Sequence, residues 1–232
     1  MHKQISDPFF LHIKNATKRF PGKTLWEDWS FSIPSRAMTA VTGASGSGKT
    51  TLLNCLGQLE QFDQGGVTFS GLDGQYSGKK GKQVLFRDVL GFLFQNYGLV
   101  ENWTVEQNLR VALYSQRQSK KKEDKLIGDV LEHVGLDGKE KSRIYTLSGG
   151  EQQRVALARL ILKKPYVILA DEPTSALDTQ NESIVMDVLR KEADGGALVM
   201  ISTHNSRIVE QCDYELSLTN HTFKSLDSTR EI

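Results

Sequence analysis

Residues 43–51 read GASGSGKTT and match the spacing G-x-x-x-x-G-K-[ST] at Gly43, Gly48, Lys49 and Thr50. Glycines let a backbone turn tightly enough for successive N–H groups to face phosphate oxygens, and a following helix adds its positive end. Ala44, Ser45, Gly46, Ser47 and Thr51 complete the expected cradle. Lys49 would supply a point charge to terminal phosphates and Thr50 a hydroxyl to Mg²⁺. A chance Gly/Ser turn is the plain alternative. The apolar run before the motif and the helix-forming run after it argue against that.

A second chemical element is the acid pair in YVILADEP, where an apolar strand ends in Asp171 and Glu172. At the C-terminal edge of a parallel sheet such carboxylates stand where open α/β sheets bind ligands. There Asp171 could hold Mg²⁺ through water, and Glu172 could orient and partly deprotonate an attacking water. Paired acids often only cap a helix, so the pair gains weight from the cradle upstream.

The third element, SGGEQQRVALAR at residues 148–159, opens a helix with Ser148, Gly149, Gly150 and Glu151. Ser148 and Glu151 fit a capping box, which accounts for those two residues. It leaves the consecutive glycines unexplained, at up to ~1 kcal/mol each in a helix. Bare backbone at a helix start suits a phosphate. No N-K-x-D guanine reader follows the first loop, and a small-molecule kinase gives no reason for the glycine pair.

Placing these groups requires alternating strands and helices. Residues 10–33 predict two antiparallel strands around the turn PGK, and residues 38–43 a buried strand that feeds a helix. A polar β stretch, GGVTFSGLDG, follows. Residues 89–95, VLGFLFQ, predict another buried strand, and then VEQNLRVALYSQRQ and KLIGDVLEHVGL repeat apolar residues at helical spacing. PYVILA and ALVMIST read as strands around the helix ESIVMDVLRKEA. The expected fold is α/β: a mainly parallel sheet, an N-terminal antiparallel β subdomain and an α-helical subdomain inserted at about residues 96–146.

The chain of 232 residues is long enough for one domain with an insertion. A net charge of +1 gives no basic field that would argue for nucleic acid. The two cysteines, Cys55 and Cys212, cannot build a disulfide framework or a zinc site, which fits a reducing compartment. No apolar run approaches the ~18–20 residues that span a bilayer, and the N-terminus lacks the pattern of a secretory signal.

The ordered set GASGSGKTT, FLFQ, LSGGEQQRVALAR, VILADEP, SALD and STH resembles the ATP-binding cassette family, and the resemblance spans essentially the whole chain. It implies a P-loop NTPase core that binds and hydrolyses ATP with Mg²⁺. It also implies a head-to-tail homodimer in the ATP-bound state, each ATP lying between one subunit's phosphate loop and the other's signature helix. By the same resemblance, Phe20 takes the place of an aromatic that stacks on adenine, where Tyr is more usual. Gln95 corresponds to the glutamine that senses Mg²⁺ and links core to helical subdomain. Asp178 corresponds to a loop that bridges to the other subunit, and His204 to the switch histidine that contacts γ-phosphate.

The run FQNYGLVENWTVEQNL resembles the export branch of the family, with lipoprotein-release, macrolide and bacteriocin (lactococcin-type) systems. This implies separate integral membrane permease subunits, a place at the cytoplasmic face of the membrane, and export of a peptide, lipoprotein or drug-like substrate. Tyr97, Leu99, Val100 and Trp103 are expected to form an apolar groove for a short helix of the permease. Val105 and Leu109 are expected in the core of the helical subdomain. The lysines at 79, 80, 82 and 120–122 read as solvated loop charge. The alternative is a soluble cassette ATPase, for instance of iron–sulfur assembly.

Overall fold

A computed structural model describes residues 9–71, 78–175 and 177–226. Two long strands, β1 (Phe10–Phe20) and β2 (Lys23–Pro34), pair antiparallel across the turn Pro21–Gly22, with Phe20 opposite Lys23. Gly22 takes a positive φ of 77°, which a turn of that tightness favours. Strand β4 (Gln64–Ser70) pairs with the other side of β1, so this sheet has three strands in the order β2-β1-β4.

The second sheet has six strands in the order β5-β6-β7-β3-β8-β9. They are β3 (Ala37–Thr42), β5 (Leu90–Leu93), β6 (Val167–Asp171), β7 (Leu198–Ser202), β8 (Tyr214–Ser217) and β9 (Thr222–Ser225). The first five strands in that order run parallel, and β9 closes the edge antiparallel. Buried on both faces, β6 and β7 are apolar almost throughout, as VILA and LVMI require.

Helix α1 (Lys49–Leu56) lies between the two sheets. Its Leu52, Leu53 and Leu56 join Leu11, Ile13, Trp26 and Ile33 of the antiparallel sheet and Val41, Leu169 and Met200 of the parallel one. On the opposite face of the parallel sheet pack α5 (Gly149–Lys163) and α6 (Thr179–Asp194). The stretch between β5 and α5 supplies α3 (Val105–Leu113) and α4 (Lys120–His133), whose Leu109, Leu113, Ile127 and Leu131 form a third apolar cluster. Val105 and Leu109 lie in that cluster, as expected. Helix α5 serves two cores: Ala156, Leu157 and Leu160 face the sheet, while Val155, Ala158 and Leu162 face α3 and α4. Short helices α2 (Gly78–Val84) and α7 (Ser206–Val209) complete the set.

Several boundaries differ from the sequence expectation. The strand expected over residues 89–95 is only Leu90–Leu93, preceded by a π-helical turn at Leu85–Val89 and followed by a loop that holds Gln95. Gly91 fixes the strand's position, because a Cβ there would lie 2.5 Å from Pro165 and 2.6 Å from Leu160. The helix expected to run from 105 to 118 stops at Leu113. A short 3₁₀ turn follows, and Arg117 takes a left-handed φ of 48° while Gln116 donates to the carbonyl of Leu162. The lysines at 120–122 form the first turn of α4 rather than a loop. The side chain of Lys79 lies outside the described residues.

Candidate active site

Neighbouring parallel strands deliver the candidate residues to one edge. In the order β5-β6-β7-β3, the C-terminal ends lead into Gln95, Asp171 with Glu172, Ser202 with His204, and the loop 43–51. This is the edge where open α/β sheets bind ligands.

The loop after β3 is built on backbone that side chains would obstruct. Gly43, Gly46 and Gly48 have φ of 154°, 73° and 101°. A Cβ on Gly43 would lie 2.5 Å from the Ser47 hydroxyl, and one on Gly48 would lie 2.7 Å from both Leu25 and Trp26. The Lys49 ammonium bends over the loop and donates to the carbonyls of Gly43 at 2.9 Å and Ala44 at 3.4 Å. Lys23, at the start of β2, donates to the carbonyl of Gly46 at 2.7 Å, which ties the end of the β1–β2 hairpin to the cradle. Helix α1 begins with Gly48 at its N-cap, with no side-chain cap and no acid in its first turn. Its positive end therefore stays open to an anion. The Ser47 hydroxyl is buried without a hydrogen-bond partner among the described residues. A cradle that a Cβ would fill and a buried polar atom without a partner are features that a triphosphate fits.

Phe20 ends β1, and its ring is 44% exposed, so it is not a core phenylalanine. The Lys18 ammonium sits 5.3 Å from the ring centroid. Lys18 is itself buried and held by Glu60 at 2.9 Å.

Asp171 is the last residue of β6, and Glu172 follows it with a left-handed φ of 46°, unusual for a residue with a Cβ and common where sites store strain. Ser202, fully buried at the end of β7, joins the two acids: its hydroxyl donates to Asp171 Oδ1 at 2.5 Å and accepts the Glu172 N–H at 2.9 Å. The other oxygen of Asp171 makes no hydrogen bond among the described residues. His204 Nδ1 lies 3.1 Å from Glu172 Oε1, with the imidazole largely exposed. Among the described residues no cluster of three or more acid, His or Cys side chains could hold a metal alone.

The start of α5 carries the capping box that the sequence implies. Ser148 Oγ accepts the Glu151 N–H at 3.2 Å, and Glu151 accepts the Ser148 N–H at 2.8 Å. That N–H, helped by Lys139 at 3.3 Å, holds the Glu151 carboxyl below its ordinary value. Each glycine also has a close side-chain neighbour that the sequence hid. A Cβ on Gly149 would lie 3.2 Å from the Tyr97 hydroxyl, and one on Gly150 would lie 3.3 Å from the Asn181 amide. Asp178 caps α6 by accepting the Asn181 N–H at 2.8 Å, which holds its carboxyl low, and Asn181 also accepts from Arg154 of α5. No hydrogen bond or ion pair joins residues 148–151 to residues 43–51 among the described residues.

Sequence reasoning missed four residues that shape this edge: Lys23, Gln153, Arg159 and Ser202. Buried Gln153 donates to the carbonyl of Pro173 at 2.8 Å, locking α5 to the loop after β6. Arg159 donates to the carbonyls of Tyr97 and Gly98 at 2.9 and 2.6 Å, pinning the loop that holds Gln95 to the same helix. Ser202 alone had a signal, a polar residue at the end of the apolar run LVMI. Of the apolar surface expected from Tyr97, Leu99, Val100 and Trp103, only the second pair is exposed, Val100 at 45% and Trp103 at 41%. Tyr97 and Leu99 turn inward against the cores, and the adjacent groove of about 780 Å³ is lined instead by Phe86, Phe92, Phe94, Val111 and Tyr114 among others. Tyr97 and Gly98 are left-handed and held by Arg159, and Gly98 borders the groove.

Glycine cradle, strand-end carboxylates, exposed histidine and a separate glycine-led helix start define an ATP-binding cassette, and the family model for the ABC transporter matches residues 26–175. The chain belongs to the ABC transporter family as an ATP-binding domain and is an ATPase. It is 35% identical to "Lipoprotein-releasing system ATP-binding protein LolD" of Aquifex aeolicus (strain VF5), over 94% of each chain. It is 38% identical to "Macrolide export ATP-binding/permease protein MacB" of Shigella flexneri over 79% of this chain and 28% of that longer protein. A "Probable amino-acid import ATP-binding protein YxeO" of Bacillus subtilis (strain 168) is 36% identical over 86% of this chain and 81% of its own. The fold superposes on the "Dimeric structure of a post-hydrolysis state of the ATP-binding cassette MJ0796 bound to ADP and Pi" with a TM-score of 0.84 at 27% identity, covering 94% of this chain and 99% of that one.

Proposed function

We propose that the chain is the ATP-driven subunit of an exporter, dimerising on ATP at the cytoplasmic face of a membrane and working on separate permease subunits. The cargo is a peptide, lipoprotein or drug-like molecule, with a bacteriocin among the candidates. The observation that carries this reading is the division of phosphate-facing backbone: a complete cradle at residues 43–51 and, with no bond to it, a second glycine-led helix start at residues 148–150. The relatives support the export direction through LolD and MacB, and the full-length match to LolD, named there as an ATP-binding protein, supports separate membrane subunits. No helix among the described residues is long and apolar enough to cross a membrane.

In this reading the N–H groups of residues 43–51 and the Lys49 ammonium hold the phosphates, and Phe20 stacks on adenine with Lys18 behind it. Thr50, Gln95 and Asp171 would hold Mg²⁺, which would supply positive charge against the phosphates. Glu172 accepts a proton from the attacking water. His204 orients that carboxylate and reaches toward the γ-phosphate, while Ser202 keeps both acids in register. Ser148, Gly149 and Gly150 of the partner subunit close the site from the far side, and Asp178 lies on the bridging surface. Nucleotide then acts as the link across an isologous interface.

The test is ATP-dependent mass in sedimentation. Wild-type chain shifts from monomer to dimer when ATP is added under conditions that block hydrolysis. Ser148→Arg binds the nucleotide as well as wild type but stays monomeric, because a bulky cation occupies the space of the facing phosphate. Wild-type association of that variant ends the shared-site reading. Recovery of the chain only with ribosomes or DNA, and never with an integral membrane protein, ends the transport reading.

A further inference from the structure

The β1–β2 hairpin meets the phosphate cradle in two ways. Leu25 and Trp26 of β2 press on Gly48, where a Cβ would lie 2.7 Å from either side chain. At the tip, the Lys23 ammonium donates to the Gly46 carbonyl at 2.7 Å, and among the described residues no other hydrogen bond joins β1 and β2 to residues 43–51. Lys23 itself is exposed and makes no ion pair among the described residues.

Phe20 stands directly opposite Lys23 across the turn Pro21–Gly22, so one two-residue turn carries the exposed ring on one arm and the ammonium on the other. The ring is backed by Lys18, which Glu60 and the carbonyl of Gln61 hold at 2.9 and 2.8 Å. Lys18 thus steadies the ring within the hairpin, and only Lys23 ties the tip to the cradle.

On the loop side, the Lys23 bond sets one peptide unit. A trans peptide is planar, with its C=O and N–H on opposite sides. With the Gly46 carbonyl held toward the hairpin, the Ser47 N–H points into the loop, where it reaches the carbonyl of Ala44 at 3.1 Å. Lys49 holds the carbonyls of Gly43 and Ala44 at the start of the loop, and Lys23 holds the one at its middle. The grip of Lys49 must open when its ammonium turns to phosphate, and that of Lys23 need not.

Resting on the nucleotide site of the reading above, we infer that Lys23 is a positioning residue that couples the base subsite at Phe20 to the phosphate subsite at residues 43–51. Its bond fixes the place of the ring relative to the cradle, so a ligand that carries both a base and a phosphate chain meets both surfaces without first having to order the hairpin tip. The two groups of one ligand then bind as linked groups on sites already set at the right spacing. Phosphate alone gains nothing from Lys23.

The experiment titrates the full chain with ADP and with inorganic pyrophosphate by calorimetry, in the wild type, Lys23→Met, Lys23→Arg, Phe20→Ala and the double variant of Lys23→Met with Phe20→Ala. Wild type binds ADP more tightly than pyrophosphate. Lys23→Met loses about fivefold in ADP affinity and stays within about twofold for pyrophosphate, while Lys23→Arg, which still donates to the carbonyl, keeps ADP affinity within about twofold. Phe20→Ala loses about tenfold for ADP. In that background Lys23→Met costs less than about twofold more, because no ring is left to position. Retained pyrophosphate binding also reports that the cradle is folded in each variant. Equal losses for ADP and pyrophosphate in Lys23→Met would make Lys23 a phosphate ligand and overturn the inference, as would unchanged ADP affinity or full additivity with Phe20→Ala. Wild type that binds neither ligand removes the nucleotide site and this inference together. Wild type that prefers ADP, with Lys23→Met unaltered, keeps that site and loses the coupling alone.

Discussion

Two helix starts in this chain, both assigned to phosphate in the proposed function, are built in opposite ways. Helix α1 opens with left-handed Gly48, no side-chain cap and no acid in its first turn, below a loop whose Ser47 hydroxyl has no partner among the described residues. Helix α5 opens with a closed capping box, in which Ser148 and Glu151 satisfy each other and Glu151 places a negative charge at the helix's positive end. The first start is incomplete without an anion. The second is complete as it stands, and the dipole it offers is partly offset by its own carboxylate. On the proposed function, the difference assigns binding strength to the first and leaves the second as a lid on a phosphate already held elsewhere.

That division predicts which step each substitution stops. The largest effect is expected at Glu172. Glu172→Gln keeps the cradle and the helix start and removes only the proton acceptor, so steady-state ATP hydrolysis falls roughly a hundredfold to ten-thousandfold. Nucleotide affinity stays near wild type, and ATP now accumulates a dimer that sedimentation detects. Hydrolysis at the parental rate would show that the acid of this edge lies elsewhere. Lys49→Ala attacks the cradle itself. Loss of a charge-assisted contact to phosphate costs about 1.5–3 kcal/mol, so affinity for a fluorescent ATP analogue drops ~10- to 100-fold in the monomer. Unchanged affinity would mean that the ammonium stays on the Gly43 and Ala44 carbonyls and never turns to phosphate.

A smaller effect is expected from Ser202→Ala. Its hydroxyl joins the Asp171 carboxylate to the Glu172 backbone. Removing it should lower turnover about tenfold and leave KM for ATP within about twofold, since supporting partners of catalytic ligands typically carry effects of that size. A large rise in KM with unchanged turnover would place Ser202 on the binding side of the comparison.

The two starts also differed in how far the sequence exposed them. The cradle was legible because its chemistry is local: nine consecutive residues, 43–51, set backbone, charge and hydroxyl together. Asp171 and Glu172 were singled out by the apolar strand that leads into them, and His204 by the resemblance of STH to the family's switch histidine. Lys23 and Arg159 were not, because each acts on a carbonyl brought near only by folding, 23 residues away for Gly46 and 61 for Gly98. The glycine pair at 149 and 150 was read as a phosphate feature alone. Its contacts with Tyr97 and Asn181 depend on how α5 packs against two loops distant in the chain. The same cause divides residues 97–103. Apolar residues at 97–103 look available in a linear reading, yet left-handed Tyr97 and Gly98 turn part of that stretch inward and leave the opening to Phe86, Phe92 and α3.

The smallest expected effect sharpens the comparison most directly, because it concerns the self-sufficiency of the second start. Glu151→Ala opens the capping box and removes the Lys139 contact, which should cost about 0.5–1 kcal/mol and lower Tm by about 2–4 °C for a domain of this size. The sign with pH follows from the carboxyl being held below its ordinary value by the Ser148 N–H. Its stabilisation is fully present above the unfolded carboxylate pKa of about 4.3 and is lost as pH falls through the lower folded value. The Tm gap between wild type and variant should therefore be constant from neutral pH down to about pH 5 and close below about pH 4. At the same time the positive end of α5 is no longer offset, so the variant should hold its partner's nucleotide no less tightly than wild type. A variant that unfolds no earlier yet loses ATP-driven dimerisation would mean that Glu151 acts on the facing nucleotide rather than on its own helix, and the two starts would be alike after all.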